Sequence, residues 1–444
     1  MKTRKLVVFV ILIIALFGCA NHGDRYDNNQ TPNAEEIDVP IKAPGMIYEG
    51  ANSEGDALQP DPIPAAPSSL GKPSLIKMYV ENSGSIFGYV NGATEYVDAL
   101  TEIAQLPVFV MQKIPVDISF VNGANPIVIT HIGSSFMGKL NQNGMKCGNT
   151  KLSDLNTMFD TILSNAGNGT ITILVSDGIY DIGTSDLSAL TIKGKATRTA
   201  FLNRLNDSTA NLQTLLVKMT SGFDGTYYYA TKKGSLNIKQ QRPYFIWIIG
   251  DSNLINTYFS DEALKKLNGY QNHVRYVKVG NNKLPFEIDF SDCIGKLMPN
   301  KNDSHVLTKH EAYHGQFELA LIVDYGELYY PDEYLTDCNN YSCDFNFKVS
   351  SITKATTTQA TSAGVFYKRP FLIKLTTNQP NPRGKLTIQL KNTQPSWIMA
   401  SNAANEDTID SNTTYGFSIL TKGIREAYEY VSDSIPAVFE ITFK

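Results

Sequence analysis

The sequence is short of charge, and the charges that it has are nearly balanced. Only 18% of its residues are Asp, Glu, Lys or Arg, and 39 basic residues against 43 acidic ones leave a formal net charge of −4. This balance offers no clustered excess of Lys and Arg, so a nucleic-acid partner is not expected. The hydrophobic share of 42% excludes wholesale disorder, and 444 residues are enough for two or three folded domains.

Long apolar runs are also lacking, except near the N-terminus. The run Leu6–Phe17 has 12 residues, which is too short to span a bilayer and typical of the central part of a signal peptide. Basic residues precede it and Cys19 follows it, an arrangement that resembles the bacterial lipoprotein signal. The resemblance implies that Cys19 becomes the first residue and carries acyl chains, palmitate among them, that anchor it to a membrane. An ordinary cleaved signal peptide is the alternative.

Residues 1–19 are therefore interpreted as a lipoprotein signal peptide, and residues 20–74 as a flexible tether. The tether holds eight of the 20 prolines and no sustained apolar period. Such a segment cannot bury enough surface to offset the entropy cost of ordering it. We expect it to hold the folded part away from a bacterial membrane, in the cell envelope and at the outer membrane.

Strands and helices alternate over residues 75–282, which predicts an α/β domain. The predicted strands are 75–82, 116–122, 127–132, 170–177, 226–231, 243–250 and 273–280. The predicted helices are 93–105, 151–165, 197–220 and 260–268. This alternation favours a doubly wound, mostly parallel sheet with helices on both faces. Ligand sites in such sheets lie at the carboxyl ends of the strands.

Three loops at that predicted edge carry oxygen-bearing side chains. The first strand runs into Glu81, Ser83 and Ser85, Thr150 precedes the helix at 151, and Asp177 ends the strand at 170–177. Carboxylate and hydroxyl oxygens are hard ligands, which suit Mg²⁺ or Mn²⁺ in octahedral geometry with waters completing the shell. As an alternative, the two serines merely cap the following helix.

These loops resemble the metal-ion-dependent adhesion site of the von Willebrand factor A domain. That family shows an Asp-x-Ser-x-Ser motif after the first strand, a threonine before a later helix and an Asp-Gly pair after the fourth strand. Ser83 and Ser85 match the two serines, Thr150 the threonine and Asp177 the last aspartate, whereas Glu81 stands in place of the first aspartate. The resemblance implies a binding or adhesion module without catalysis, in which the metal captures an acidic group of a protein or glycan partner.

From residue 283 to 444 the pattern changes to strands separated by Asn, Pro, Gly and Thr, which predicts a β-rich, sandwich-like domain. The predicted elements are strands at 317–325, 345–352, 369–377, 384–392 and 437–444, and one amphipathic helix at 417–431. Cys338 and Cys343 flank an Asn-Asn turn, and a disulfide between them is expected as readily as two free thiols.

The stretch 310–314 reads His-Glu-Ala-Tyr-His, the pattern of zinc metallopeptidases. In those enzymes the two histidines lie on one face of a helix and bind Zn²⁺, and the glutamate activates a water. Gly315 follows the second histidine at once, so a polar loop or strand edge is the preferred interpretation. Three hypotheses remain: a metal-dependent binding module, a zinc metallopeptidase and a metal-free structural lipoprotein of the envelope.

Overall fold

The computed structural model describes residues 71–124, 126–151, 153–181, 186–207, 211–278, 284–326, 330, 332–355, 367–391, 394–432 and 437–444. The predicted signal peptide, the predicted lipidation site Cys19 and the tether up to residue 70 lie outside these residues. Within the described residues, no helix is both long enough and apolar enough to cross a membrane.

A seven-stranded sheet organises the first part of the fold. Its strands are β1 Leu75–Glu81, β2 Val116–Gly123, β3 Ile127–His131, β4 Thr170–Ser176, β5 Leu212–Tyr228, β6 Ser235–Asp251 and β7 Tyr270–Val277. Their spatial order is β3-β2-β1-β4-β6-β5-β7. β1 pairs in parallel with β2 and with β4, and the other neighbours pair antiparallel. The fold is thus mixed α/β, with parallel strands around β1.

Helices pack on both faces of this sheet. They are α1 Glu95–Ala104, α2 Pro107–Met111, α3 Phe136–Lys139, α4 Leu155–Asn165, α5 Leu187–Asp207, α6 Ser252–Tyr258 and α7 Asp261–Leu264. Successive residues of a strand point to opposite faces. Met78 of β1 accordingly shares a hydrophobic cluster with Leu100 of α1, whereas its neighbour Tyr79 shares another with Phe159 of α4. Both faces of β1 are therefore buried.

The prediction of a helix over 197–220 is wrong in its second half. α5 ends at Asp207, and the residues from Leu212 onward form β5, which pairs with both β6 and β7. The first six residues of β5 are all buried, so neither the alternation of a half-exposed strand nor the 3.6-residue period of a surface helix marks this segment.

The second part of the chain is rich in β-structure, as predicted. It contains β8 Phe286–Ile288, β9 Lys296–Pro299, β10 Val306–Glu311, β11 Phe317–Asp324, the short helix α8 Asp332–Leu335, β12 Tyr341–Cys343, β13 Lys348–Lys354, β14 Pro370–Thr377 and β15 Gly384–Leu390. β13, β14, β11 and β8 form one antiparallel sheet, in that order.

Between residues 394 and 432 the chain returns to the seven-stranded sheet. It forms α9 Ser396–Ala400, β16 Asn402–Ala403, β17 Thr414–Tyr415 and α10 Phe417–Val431. Phe417 stacks on Phe245 of β6 with ring centroids 3.9 Å apart, and the Tyr428 hydroxyl lies 2.9 Å from Oγ1 of Thr214 in β5. The helix predicted at 417–431 therefore exists and belongs to the core of the first sheet.

The last strand, β18 Ala437–Phe443, re-enters the β-rich part and completes a second sheet of order β12-β15-β18-β10-β9. Side chains from both sheets pack in one hydrophobic cluster, to which Leu319 and Phe371 contribute from one sheet and Ile388 and Phe439 from the other. This shared core positions the segment at 332–340 beside the first sheet's edge strand β7, where a cleft opens.

Cys338 and Cys343 form no disulfide in the structure. Cys338 begins a short 3₁₀ turn, and Cys343 ends β12, which is held in an extended conformation by its pairing with β15. The extended strand carries the second cysteine away from the turn. Both side chains pack half-buried against the core of the β-rich part, and burial raises the pKa of the Cys343 thiol to about 11.

The stretch 310–314 is not helical. His310 and Glu311 end β10, and His314 lies in a turn with a φ of 49°. The two histidines therefore do not share the helical face on which metallopeptidase zinc ligands lie. Across the described ranges, no group of three or more His, Cys, Asp and Glu residues is placed to hold a metal ion.

Candidate metal site

The structure brings the five residues singled out by the sequence to one cavity. Glu81, Ser83, Ser85, Thr150 and Asp177 all line a pocket of about 230 Å³ at the carboxyl ends of β1 and β4. They come from three loops that are separated by up to 96 positions in the chain, and the parallel pairing of β1 with β4 places those loops together. The oxygen donors of the predicted site therefore share one space.

The turn after β1 directs its serine hydroxyls toward a carboxylate. Ser83 Oγ donates to Glu81 Oε1 at 2.7 Å and lies 3.1 Å from Ser85 Oγ. Ser83 occupies the N-cap position of the 3₁₀ turn Gly84–Gly88, yet its side chain makes no capping hydrogen bond. The alternative in which this serine serves as a helix cap thus has no support in its contacts.

Two buried asparagines hold the loop that carries Thr150. Asn82 follows β1 and donates to the carbonyl of Cys147 at 2.9 Å, and Asn122 in β2 donates to the same carbonyl at 2.7 Å. The backbone N–H of Gly84 donates to the Thr150 carbonyl at 2.8 Å. The threonine loop is therefore fastened to the ends of both strands, although α4 begins only at residue 155.

A glycine in a left-handed conformation shapes the loop of Asp177. Gly178 has a φ of 69°, and a Cβ at this position would lie 2.7 Å from the Phe245 ring. Only glycine fits this turn without strain. The turn lets the Ile179 N–H donate to Asp177 Oδ1 at 3.1 Å while the aspartate itself stays 4% exposed.

Two of the three carboxylates that line the cavity, those of Glu81 and Asp177, are buried. Glu81 is 2% exposed, and its Oε2 atom has no hydrogen-bond partner among the described residues. Burial raises the pKa of Glu81 to about 7, and the nearby charge of Asp177 adds to the rise, whereas the hydroxyls of Ser153, Ser176 and Ser83 oppose it. Burial also raises the pKa of Asp177. Desolvation and mutual repulsion both disfavour two negative charges here, so the cavity favours a cation or a proton.

The opposite wall of the cavity consists of Tyr228, Tyr229 and Ala230. The sequence pattern predicts only that these residues belong to a strand. Glu406, 4% exposed and 176 positions from Ala230, holds this wall. Its carboxylate accepts hydrogen bonds from the Tyr227 hydroxyl at 2.6 Å and from the backbone N–H groups of Ala230 at 3.0 Å and Thr231 at 2.9 Å. No local sequence signal marks this glutamate, because its partners lie in another element.

The same C-terminal segment also contacts the aspartate side of the cavity. Arg242, 2% exposed, donates to the carbonyls of Asp410 at 2.6 Å and Thr413 at 3.2 Å. Its positive charge lowers the pKa of Asp177, against the effect of burial. The Thr414 hydroxyl donates to the Asp177 carbonyl at 3.4 Å. Residues 401–416 thus link two walls of the cavity that come from distant parts of the chain.

Comparison with known proteins gives no relative: no protein-family model, no curated protein and no solved structure matches this chain. The resemblance to the von Willebrand factor A domain therefore rests on the motif residues of the sequence alone.

Proposed function

We propose that this protein is an envelope lipoprotein whose α/β part binds an acidic group of a protein or glycan partner through Mg²⁺ or Mn²⁺. The observation that carries the proposal is the buried Oε2 atom of Glu81, which has no partner among the described residues and lies in a cavity with a second buried carboxylate. A buried unpaired carboxylate costs stability unless a cation or a proton compensates it.

The residues present fit such an ion. The five side chains, two carboxylates and three hydroxyls, offer only oxygen donors. Oxygen is the donor atom that Mg²⁺ and Mn²⁺ prefer. Ser83, Ser85 and Thr150 are neutral, so the ion would retain part of its charge and attract a further anion. In the resembling family that anion is an acidic side chain of the partner. The parallel strands around β1 and the helices on both faces support a von Willebrand-like form of the mixed α/β fold.

The test is a calorimetric titration of Mn²⁺ into the full chain and its variants. Ser83→Ala and Asp177→Ala should abolish binding without unfolding the protein, because both residues lie on loops. Glu81→Asp should tighten binding, because it restores the side-chain length of the resembling family. Ser164→Ala and Asp160→Ala are matched controls on α4, outside the cavity lining, and should bind as the wild type does.

Two results would redirect the proposal. If the wild type gives no heat and Glu81→Asp gains it, the natural cavity does not hold a metal, and a metal-free structural role is favoured. If all variants behave as the wild type does, the ion binds elsewhere and the site assignment is wrong. The metallopeptidase alternative has no supporting observation in the described residues, because its histidines lie on a strand and in a turn.

The anchoring half of the proposal has its own test. Cys19→Ala removes the thiol that would carry the lipid and should move the protein from the membrane to the soluble fraction of cells that express it. Wild-type protein and the Cys338→Ala variant should stay with the membrane in the same fractionation. Membrane association of Cys19→Ala would contradict lipidation at this residue.

A further inference from the structure

A second cleft, larger than the sheet-edge cavity, lies beside β7. It has a volume of about 530 Å³ and shares no lining residue with the cavity that holds Glu81. Side chains of β7, of the segment at 333–340 and of the segment at 394–397 line it. The proposed metal-dependent function uses none of these residues.

A row of neighbouring polar groups, with His273 buried in its middle, ends at the wall of this cleft. The Tyr270 hydroxyl lies 2.7 Å from Nδ1 of His273, and Nε2 of the same ring lies 3.0 Å from Asp261 Oδ1. The side chain of His273 is 3% exposed, and Arg275, itself buried, donates to the same carboxylate oxygen at 2.8 Å. Buried polar groups organised in this way at a cleft are a frequent feature of binding sites.

The contacts of His273 leave the Tyr270 oxygen at the cleft. Nδ1 of His273 shares a hydrogen bond with the Tyr270 hydroxyl, whereas Nε2 lies near the Asp261 carboxylate without an aligned hydrogen bond. Burial raises the pKa of Tyr270 to about 12, and the charges of Asp261 and Glu333 add to the rise, so the phenol keeps its proton. In either tautomer of His273 the Tyr270 oxygen keeps a lone pair that can accept a hydrogen bond from a ligand in the cleft.

The rest of the lining is also rich in acceptors. Glu333 and Asp337 add two carboxylates, which repel an anionic ligand, and the ammonium group of Lys265 disfavours a cationic one. Gln394 adds a half-buried amide side chain to the lining. Trp397 adds a half-buried aromatic ring. A fitting ligand is therefore uncharged, carries several hydroxyl donors and has one apolar face.

We propose that this cleft binds a neutral saccharide. Sugar hydroxyls would donate to the Tyr270 oxygen and to the carboxylates of Glu333 and Asp337. The apolar face of a sugar ring would pack on Trp397. This binding needs no metal and is independent of the sheet-edge cavity.

The experiment titrates soluble neutral hexasaccharides into the full chain by calorimetry: cellohexaose, maltohexaose, laminarihexaose and mannohexaose, each with and without EDTA. At least one should bind, and EDTA should leave its affinity unchanged. Tyr270→Phe and Glu333→Gln should each weaken that binding about tenfold, because each removes one acceptor that a sugar hydroxyl would use. Tyr430→Phe and Glu262→Gln make the same chemical changes at exposed positions outside the cleft and should bind as the wild type does.

Three outcomes would overturn the inference. One is the absence of binding by all four sugars, and another is binding that Tyr270→Phe and Glu333→Gln leave unchanged. The third is binding that EDTA or Asp177→Ala abolishes, which would place the sugar at the sheet-edge cavity instead. Circular dichroism of each variant separates a lost contact from a lost fold.

Discussion

Glu81 and Glu406 are both buried, at 2% and 4% exposure, but their surroundings differ. Glu406 accepts four hydrogen bonds from Tyr227, Ala230 and Thr231, and both of its oxygens are used. Glu81 Oε1 accepts a hydrogen bond from Ser83, whereas its Oε2 atom has no well-aligned partner among the described residues, although the Ser153 and Ser176 hydroxyls lie close to the carboxylate. A carboxylate satisfied by its own chain stabilises the fold, whereas an unsatisfied one costs stability. We interpret Glu406 as structural and Glu81 as a group that a ligand completes.

The largest expected effect is on stability, at Glu406. Glu406→Ala leaves the Tyr227 hydroxyl and two backbone N–H groups buried without their acceptor, and should lower the free energy of unfolding by about 3 kcal/mol. Urea denaturation of the full chain measures this change in the free energy of unfolding. Glu262→Ala, on the exposed face of α7, should change stability by less than about 0.5 kcal/mol. Equal stability of the Glu406→Ala and Glu262→Ala variants would contradict a structural role for Glu406.

A smaller loss is expected at Gly178, which shapes the loop of Asp177. Gly178→Ala forces a side chain into a left-handed conformation and against the Phe245 ring, so we expect a loss of about 2 kcal/mol. Gly138→Ala is the matched control, because its Cβ would meet no atom within 4 Å and lies in helix α3. That variant should be neutral or slightly more stable. A loss of the same size in both variants would contradict a special role for the turn.

The effect expected at Glu81 is smaller and of opposite sign. Glu81→Gln removes a buried charge beside Asp177, so the variant should be about 1 kcal/mol more stable than the wild type in EDTA. Mn²⁺ should raise the melting temperature of the wild type and leave that of the variant unchanged. A large loss of stability in the EDTA measurement would mean that Glu81, like Glu406, holds the fold together.

The pH dependence sharpens this difference. Burial raises the pKa of Glu81 in the folded protein to about 7, above its ordinary value of 4.5, so the folded state binds the proton more tightly than the unfolded state. The stability that protonation of Glu81 gives to the folded state is therefore complete below pH 4.5 and is lost as the pH rises through 7. In EDTA, the stability advantage of Glu81→Gln over the wild type should grow across this interval. A constant difference between pH 4.5 and 8 would contradict the raised pKa.

The sequence predicts the cavity better than it predicts what surrounds it. Ser83, Ser85 and Asp177 are predictable because each lies within four residues of the end of a buried strand whose bounds are visible in the apolar pattern. Glu406 and Arg242 were missed, because their partners lie in other elements and no spacing links them.

The same limit applies to the fold. The helix Phe417–Val431 was predicted from its apolar stripe, but its place on the seven-stranded sheet depends on contacts such as Phe417 with Phe245. The start of β5 is not predictable in this way, because its first six residues are all buried and show no period. Local patterns thus locate elements with one exposed face, whereas pairings between distant segments follow from packing that a single sequence does not display.

The central claim is that the cavity at Glu81 holds one divalent cation. Electron paramagnetic resonance of free Mn²⁺ during titration into the full chain measures it directly, because the signal of the bound ion broadens and the free signal falls. The account predicts that one Mn²⁺ is removed from solution per wild-type chain and none by Asp177→Ala, with Asp160→Ala behaving as the wild type. No loss of free Mn²⁺ with the wild type, or an equal loss with Asp177→Ala, would contradict it.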